Sequence, residues 1–419
     1  MRPVGLAIAM GIADLWQLAV VIVCVGSAIG FAVVPRLRTY QLTAWIVAGV
    51  TLAMIYPSYF LQLGPVNLRD KSLILLIMQL VMFGMGTQMR LADFVGVVRF
   101  PYPVFVGIAL HFTIMPLVGY SVAKLLGFPP EIAAGIVLIG SCSSGLASNV
   151  MNYIAKANLP LSITITAVTT MMAPIATPLW MKLLAGRMIE VDFFAMMVEI
   201  TKLIIVPIGA AMLDDYLEHA SERSRRFVLG SAAVATLLLA ALIARWDYIA
   251  GVLDERTLNI VGLGGFLLGA IVAGVVYHGL RRQFPMIARM MPMLSMLGIV
   301  YVTTVTVAAG RDRLLVIGPL LLVAVIAHNS IGFVLGYWLS RLCRLDVNSA
   351  RTVAMEVGLQ NGGMATTIAA SLNQLATLGL AAAVFNPWMN FSGSILANYW
   401  RRRPVPKSID FAEPNTERR

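Results

Sequence analysis

The sequence predicts an all-α protein that crosses a membrane many times, and three observations carry that prediction. The 419 residues are 59% hydrophobic and only 12% charged, with a mean hydropathy of +0.84, whereas about a quarter of the residues of soluble domains are charged. Apolar runs of roughly 20 residues, the length a helix needs to cross about 30 Å of hydrocarbon, recur from near residue 14 to near residue 398. Short basic clusters separate them on alternate connections, the pattern of the positive-inside rule.

Taken in order, spans are expected near 14–34, 43–62, 72–89, 102–125, 130–154, 160–182, 191–213, 227–244, 258–279, 292–309, 314–340, 349–371 and 376–398, about thirteen helices. The first run is long, carries basic residues on its C-terminal side and lacks a small-x-small exit, so it is expected to be a retained helix and not a cleaved signal peptide. Arg36 and Arg38, Arg90 and Arg99, Lys156, Arg223 to Arg226, Arg281, Arg282 and Arg289, Arg341 and Arg344, and Arg401 to Arg403 fall on one set of connections. The other set holds fewer: Arg69 and Lys71, Lys182 and Arg187, Arg245 and Arg256, Arg311 and Arg313. A cytoplasmic C-terminus follows, and an odd number of helices then places the N-terminus outside. A tail from Arg401 is short and rich in proline and charge, as disordered ends are. No plastid transit segment precedes the first run, and a prokaryotic inner (plasma) membrane is expected.

The net charge of +11 is dispersed between apolar runs and forms no continuous patch, so it reports topology and not a nucleic-acid partner. Cys24, Cys142 and Cys343 are odd in number and sit in or beside spans. They suggest packing thiols and neither a disulfide framework nor a metal site. No soluble domain is visible, so function must reside in the membrane part.

Two spans break the apolar pattern in corresponding ways: Gly140 to Asn149 (Gly-Ser-Cys-Ser-Ser-Gly-Leu-Ala-Ser-Asn) and Glu356 to Gly363 (Glu-Val-Gly-Leu-Gln-Asn-Gly-Gly). Glycine packed with hydroxyl and amide side chains in mid-span marks a helix that unwinds and turns its backbone toward a cavity. Close helix packing through small residues explains the glycines but leaves Glu356, Gln360, Asn361 and Asn149 without a role. A carboxylate at bilayer depth costs about 2.5–3.5 kcal/mol on insertion scales and marks an ion or substrate path. Carboxylate, amide, hydroxyl and freed main-chain oxygens suit a small hard cation, sodium above a transition metal. Helix N-termini beside it would attract an organic anion.

These residues also carry a family resemblance. Ser148-Asn149-Val150-Met151, Leu161-Ser162 with Thr166, and Thr177-Pro178 resemble the fourth and fifth helices of the bile acid:sodium symporter family. His328-Asn329-x-x-Gly332, Glu356 to Asn361 and Asn390-Phe391-Ser392-Gly393-Ser394 resemble its later helices in the right order, with weaker agreement at Phe83 to Gly86 and Ala185-Gly186. The resemblance covers roughly 43–226 and 291–400. It implies two inverted five-helix repeats, 43–182 and 191–400, that form a core and a mobile panel with two crossed discontinuous helices. Residues 1–34, with the extra first helix, and the hairpin 227–279 are additions to that plan. It further implies alternating access driven by sodium, carrying a small organic anion, a bile-acid-like or pantoate-like carboxylate, through a monomer or homodimer.

By the same resemblance, one sodium site falls on Ser148, Asn149, Ser162, Thr166 and Glu356. A second would use Glu356, Gln360 and the main-chain oxygens of Val357 and Leu359. Substrate would sit against Gly145, Leu146, Asn361, Met389 and Asn390. The chain departs from the family where the second site has a glutamine in the third helix, since His111 stands there. A neutral imidazole offers one lone pair and an imidazolium none, so His111 implies either a weakened second site or proton coupling. The usual Pro-Gly-Gly before the Ser-Asn pair is Ser143-Ser144-Gly145, which predicts a less sharply broken helix.

Other classes fit less well. His111, His219, His278 and His328 show no paired metal spacing. A Gly-x-Ser-x-Gly frame for an intramembrane hydrolase is missing, because Ser141 stands where the first glycine belongs. No ring of charges or repeated filter suggests a channel.

Overall fold

The computed structural model describes residues 12–34 and 40–405. Arg36, Arg38 and the expected tail beyond residue 405 lie outside them. Every described element is helical apart from one small hairpin, because a segment in hydrocarbon must satisfy its own backbone hydrogen bonds.

Helix α1 (Ile12–Val33) leads to α2 (Gln41–Ile55) and the short α3 (Pro57–Leu61). The strands β1 (Gln62–Leu63) and β2 (Val66–Asn67) pair antiparallel across Gly64, whose φ of 58° only glycine adopts readily. Helix α4 (Lys71–Gly86) starts where the Asp70 carboxylate accepts from the Ser72 and Leu73 amides, both at 3.0 Å. After a 3-10 turn at Leu91–Phe94 comes α5 (Val95–Arg99), bent by 74° from α4. Helix α6 (Pro101–Leu125) opens on a proline in its first turn, where the missing N–H costs nothing.

Helices α7 (Pro130–Ser141) and α8 (Leu146–Ala155) are separated by a four-residue break, and α17 (Val347–Gly358) and α18 (Gly362–Ser371) by a three-residue one. Between these pairs run α9 (Leu159–Trp180), α10 (Phe193–Ile200) and α11 (Val206–His219), the last two joined by a π-helical turn. Helix α12 (Glu222–Ala244), the short α13 (Trp246–Val252) and α14 (Glu255–Gln283) form a long hairpin, followed by α15 (Met286–Ala309) and α16 (Arg311–Leu342). Helix α19 (Leu378–Arg401) closes the order. Among the described residues, length and composition alone make seven helices able to cross a membrane, or eight with the bent α4–α5 pair. The chain is an all-α polytopic membrane protein.

Helices α6, α7, α16, α17 and α19 pack closely on one another, with α8 and α9 beside them. A second group joins α2, α4 and α15, with α11 against α4; α14 packs on α11 and α12, and α1 on α2. Met78, Met82, Met115, Ile136, Leu138, Leu161 and Phe385 lie fully inside. Glycine allows the closest approach: a Cβ on Gly140 would fall 2.5 Å from the Met115 carbonyl oxygen.

Candidate cation site at the helix crossing

The two breaks meet. The chain is extended from Cys142 (φ −72°, ψ 166°) to Gly145 (φ −94°, ψ 154°), and again from Leu359 (φ −105°, ψ 96°) to Asn361. Ser144 and Gln360 lie opposite each other in an antiparallel bridge. The Asn361 amide donates to Ser143 O at 2.8 Å and the Gly145 amide to Leu359 O at 3.0 Å, so groups freed by unwinding satisfy each other. Glycine is needed at 145, since a Cβ there would lie 2.8 Å from Gln360 O. The break forms without a proline. Four residues leave the helix between Ser141 and Leu146, because this cross-pairing, and not a proline, holds the break open.

Glu356, near the end of α17, is fully buried. One carboxylate oxygen accepts from Ser162 Oγ at 2.5 Å and Asn152 Nδ2 at 3.3 Å, and the other from Thr166 Oγ1 at 2.8 Å. The same two hydroxyls also reach Asn149 Oδ1, at 2.7 and 3.2 Å. Ser148 Oγ stands 3.3 Å from Thr166 Oγ1 and donates to Gly145 O at 2.8 Å. Each hydroxyl has one proton, so Ser162 and Thr166 bring two protons to four short oxygen contacts. A cluster of carboxylate, amide and hydroxyl oxygens that lacks protons, with only neutral partners for its charge, has the chemistry of a hard-cation pocket. Ser148, Asn149, Ser162, Thr166 and Glu356 are thus brought together.

The second group is differently arranged. Gln360 Nε2 donates back to Val357 O at 2.6 Å, leaving Gln360 Oε1 buried without a partner. Leu359 O already accepts from the Gly145 amide and from Ser144 Oγ at 3.3 Å. His111, buried on α6, sets Nδ1 3.0 Å from Glu356 O and Nε2 2.9 Å from Cys142 O. A neutral ring donates to one of these carbonyls and an imidazolium to both. Only the imidazolium ties the two carbonyls together, and in either form both ring nitrogens face these carbonyls.

Sequence reasoning missed Asn152 and Ser144. Asn152 lies one turn beyond Ser148 and Asn149 on the same face of α8, a spacing that could have flagged it. Ser144 Oγ donates within the crossing to Ser148 Oγ at 3.2 Å.

A cavity of about 290 Å³ opens beside the crossing. Gly145, Leu146, Asn361, Met389 and Asn390 all line it, joined by Asn386, Gln88 and Ser295. Met85, Pro292, Met296 and Ile299 form an apolar part of the wall. Asn361 Nδ2 and Asn386 Nδ2 are buried donors without partners, and the N-termini of α8 and α18 open onto the same space.

A polytopic helical protein with paired discontinuous helices at a buried polar cluster is a membrane transporter by class. Residues 74–250 match the model of the Sodium Bile acid symporter family. The sodium-dependent transporter YocS of Bacillus subtilis, itself described as uncharacterized, is 30% identical over 88% of this chain and 94% of its own length. The chain belongs to the sodium bile acid symporter family. A probable chloroplastic sodium/metabolite cotransporter, BASS1 of Arabidopsis thaliana, is 27% identical over 87% of this chain and 74% of its own. The human ileal sodium/bile acid cotransporter is 24% identical over 74% of each chain.

Proposed function

We propose that the protein is a secondary active transporter that couples entry of sodium to uptake of a small organic anion. The observation that carries this reading is the proton-poor oxygen cluster around Glu356, with Ser148, Asn149, Ser162 and Thr166 as its other sodium ligands and Asn152 holding the carboxylate. One buried anion offsets one monovalent cation. Val357 O and Leu359 O already hold donors and both His111 nitrogens face carbonyls, which leaves Gln360 Oε1 as the one unpartnered oxygen there and favours one sodium ion per cycle.

The substrate binds beside the sodium ion. Neutral donors on Asn361, Asn386 and Asn390, with the N-termini of α8 and α18, favour a carboxylate or similar anion. A space of about 290 Å³ lies just under the ~300–1,000 Å³ of drug-sized ligand sites, which favours a small acid with an apolar body over a sterol.

The proposed architecture has thirteen crossings. Helices α6–α9 and α16–α19 form the core, and α2, α4, α10–α11 and α15 the panel. The halves 43–182 and 191–400 are inverted repeats; α1 and the 227–279 hairpin are additions. Rocking of panel against core exposes the crossing to each side in turn. The protein sits in the plasma membrane, its C-terminus cytoplasmic and its N-terminus external by the distribution of basic residues.

The test is Glu356→Gln, measured by thermal unfolding in sodium and in potassium. Ligand at 100 times its Kd stabilises the native state by about 2.7 kcal/mol, so sodium, but not potassium, raises the wild-type melting temperature. The variant loses that rise together with sodium-dependent uptake in vesicles. A variant that keeps either response overturns the proposal.

A further inference from the structure

A larger cavity, about 760 Å³, lies where α12 and α14 pack against α4 and α11. Its body is apolar, with Phe83, Pro207, Leu239, Leu242 and Phe266 in the wall. Gly262, Gly265 and Gly269 keep the α14 face low. Along α14 the groove runs from Gly262 to Ala273, eleven rises of 1.5 Å or about 16 Å. That is close to half of the ~30 Å hydrocarbon thickness, the depth of one leaflet. Leu76 and Ile243 at its edges are 65% and 68% exposed, so the groove opens sideways, where a membrane-crossing protein meets lipid.

One end is polar. Trp246 and Asp247 stand there with Gly262 and Gln79, and a Cβ on Gly262 would lie 3.8 Å from Lys202 Nζ. The Lys202 side chain is only 9% exposed, 3.4 Å from Glu199 Oε1 and 5.8 Å from the centre of the Phe266 ring. Tryptophan at such a position marks the membrane–water interface. Asp247 thus lines this end of an apolar slot, with the Lys202 ammonium, paired with Glu199, just behind Gly262 in its wall.

We propose that this groove is a phospholipid site that holds one acyl chain along α14 and the head group of an aminophospholipid at its polar end. The lipid phosphate lies on the Lys202 side of this end, and its ammonium faces Asp247. Burial of the chain gives no preference by itself, because bilayer tails are as apolar as the groove. Retention must come from the fit to one leaflet and from the complementary charges, and a zwitterionic head matches them better than a purely anionic one.

Native mass spectrometry of the full chain, stripped of lipid and then offered phosphatidylethanolamine or phosphatidylglycerol in mixed micelles, tests this. One phosphatidylethanolamine is retained, roughly tenfold more than phosphatidylglycerol, as expected when one charged contact is lost. A Cβ on Gly269 meets only Leu239, at 4.0 Å. Gly269→Ala therefore retains the lipid, while the longer side chain of Gly269→Leu fills the slot and loses it at an unchanged melting temperature. Asp247→Asn removes the preference between the two lipids, whereas Lys202→Gln weakens retention of both alike. Failure of the wild type to keep a phospholipid, equal retention by Gly269→Leu, or equal uptake of both lipids overturns the assignment.

Discussion

Glu356 and the Asn149 side-chain carbonyl oxygen compete for the protons of the same two hydroxyls, and this shortage sets the chemistry of the cluster. Ser162 and Thr166 each face both the carboxylate and Asn149 Oδ1. The acid was legible in the sequence because a carboxylate inside an apolar run is costly enough to require a reason. Asn152 was not, because its amide reaches Glu356 only through the approach of α8 to α17. His111 was legible as an unusual residue, but its role depends on which oxygens surround it. Replacing the ring frees the space between Cys142 O and Glu356 O. His111→Gln places an amide oxygen there, and sodium-induced stabilisation is then expected to rise with a Hill slope near two where the wild type shows one. An unchanged slope would remove His111 as the determinant of stoichiometry.

At the scale of elements, each break is held by the other. The amide of Asn361 and the amide of Gly145 each close on a carbonyl of the opposite break, so neither half-helix pair can relax alone. Sequence composition located both interruptions but not what holds them open, since the restraint is tertiary. Approach of α7 to α6 depends on Gly140, where a Cβ would strike the Met115 carbonyl. Gly140→Ala is expected to lower unfolding stability by about 1–3 kcal/mol, the usual cost of overpacking. Gly230, on α12 with nothing within 4 Å of an added Cβ, is the control: Gly230→Ala gains up to about 1 kcal/mol from helix propensity. Denaturant unfolding of the two variants in the same micelle distinguishes them, and equal effects would contradict this account of packing.

At the scale of the whole molecule, the site and the motion are separable. Glu356 and its partners lie within the group formed by α8, α9 and α17, whereas the cavity is shared with α2, α4 and α15. A Cβ on Gly363 in α18 would come within 3.1 Å of Met78 Cε in α4, so these positions bridge the two groups. In a chain whose other cysteines are removed, Met78→Cys with Gly363→Cys, joined by a short bifunctional crosslinker, is expected to stop uptake while sodium still raises the melting temperature. Continued uptake after complete crosslinking would exclude the proposed rocking. The length of the α12–α14 hairpin was readable from its apolar runs. Its packing on α11 and the groove it encloses were not.

The sequence by itself determined that the chain is a helical membrane protein, that two spans are interrupted, and that a carboxylate lies in one of them. These properties follow from composition, from the length of apolar runs and from the cost of charge in hydrocarbon, all local to the chain. Only the tertiary structure decided which oxygens surround Glu356, that the two breaks sustain each other, and where His111 points. Those depend on residues up to 245 positions apart, as between His111 and Glu356, meeting at atomic distance, and no local pattern encodes such a meeting.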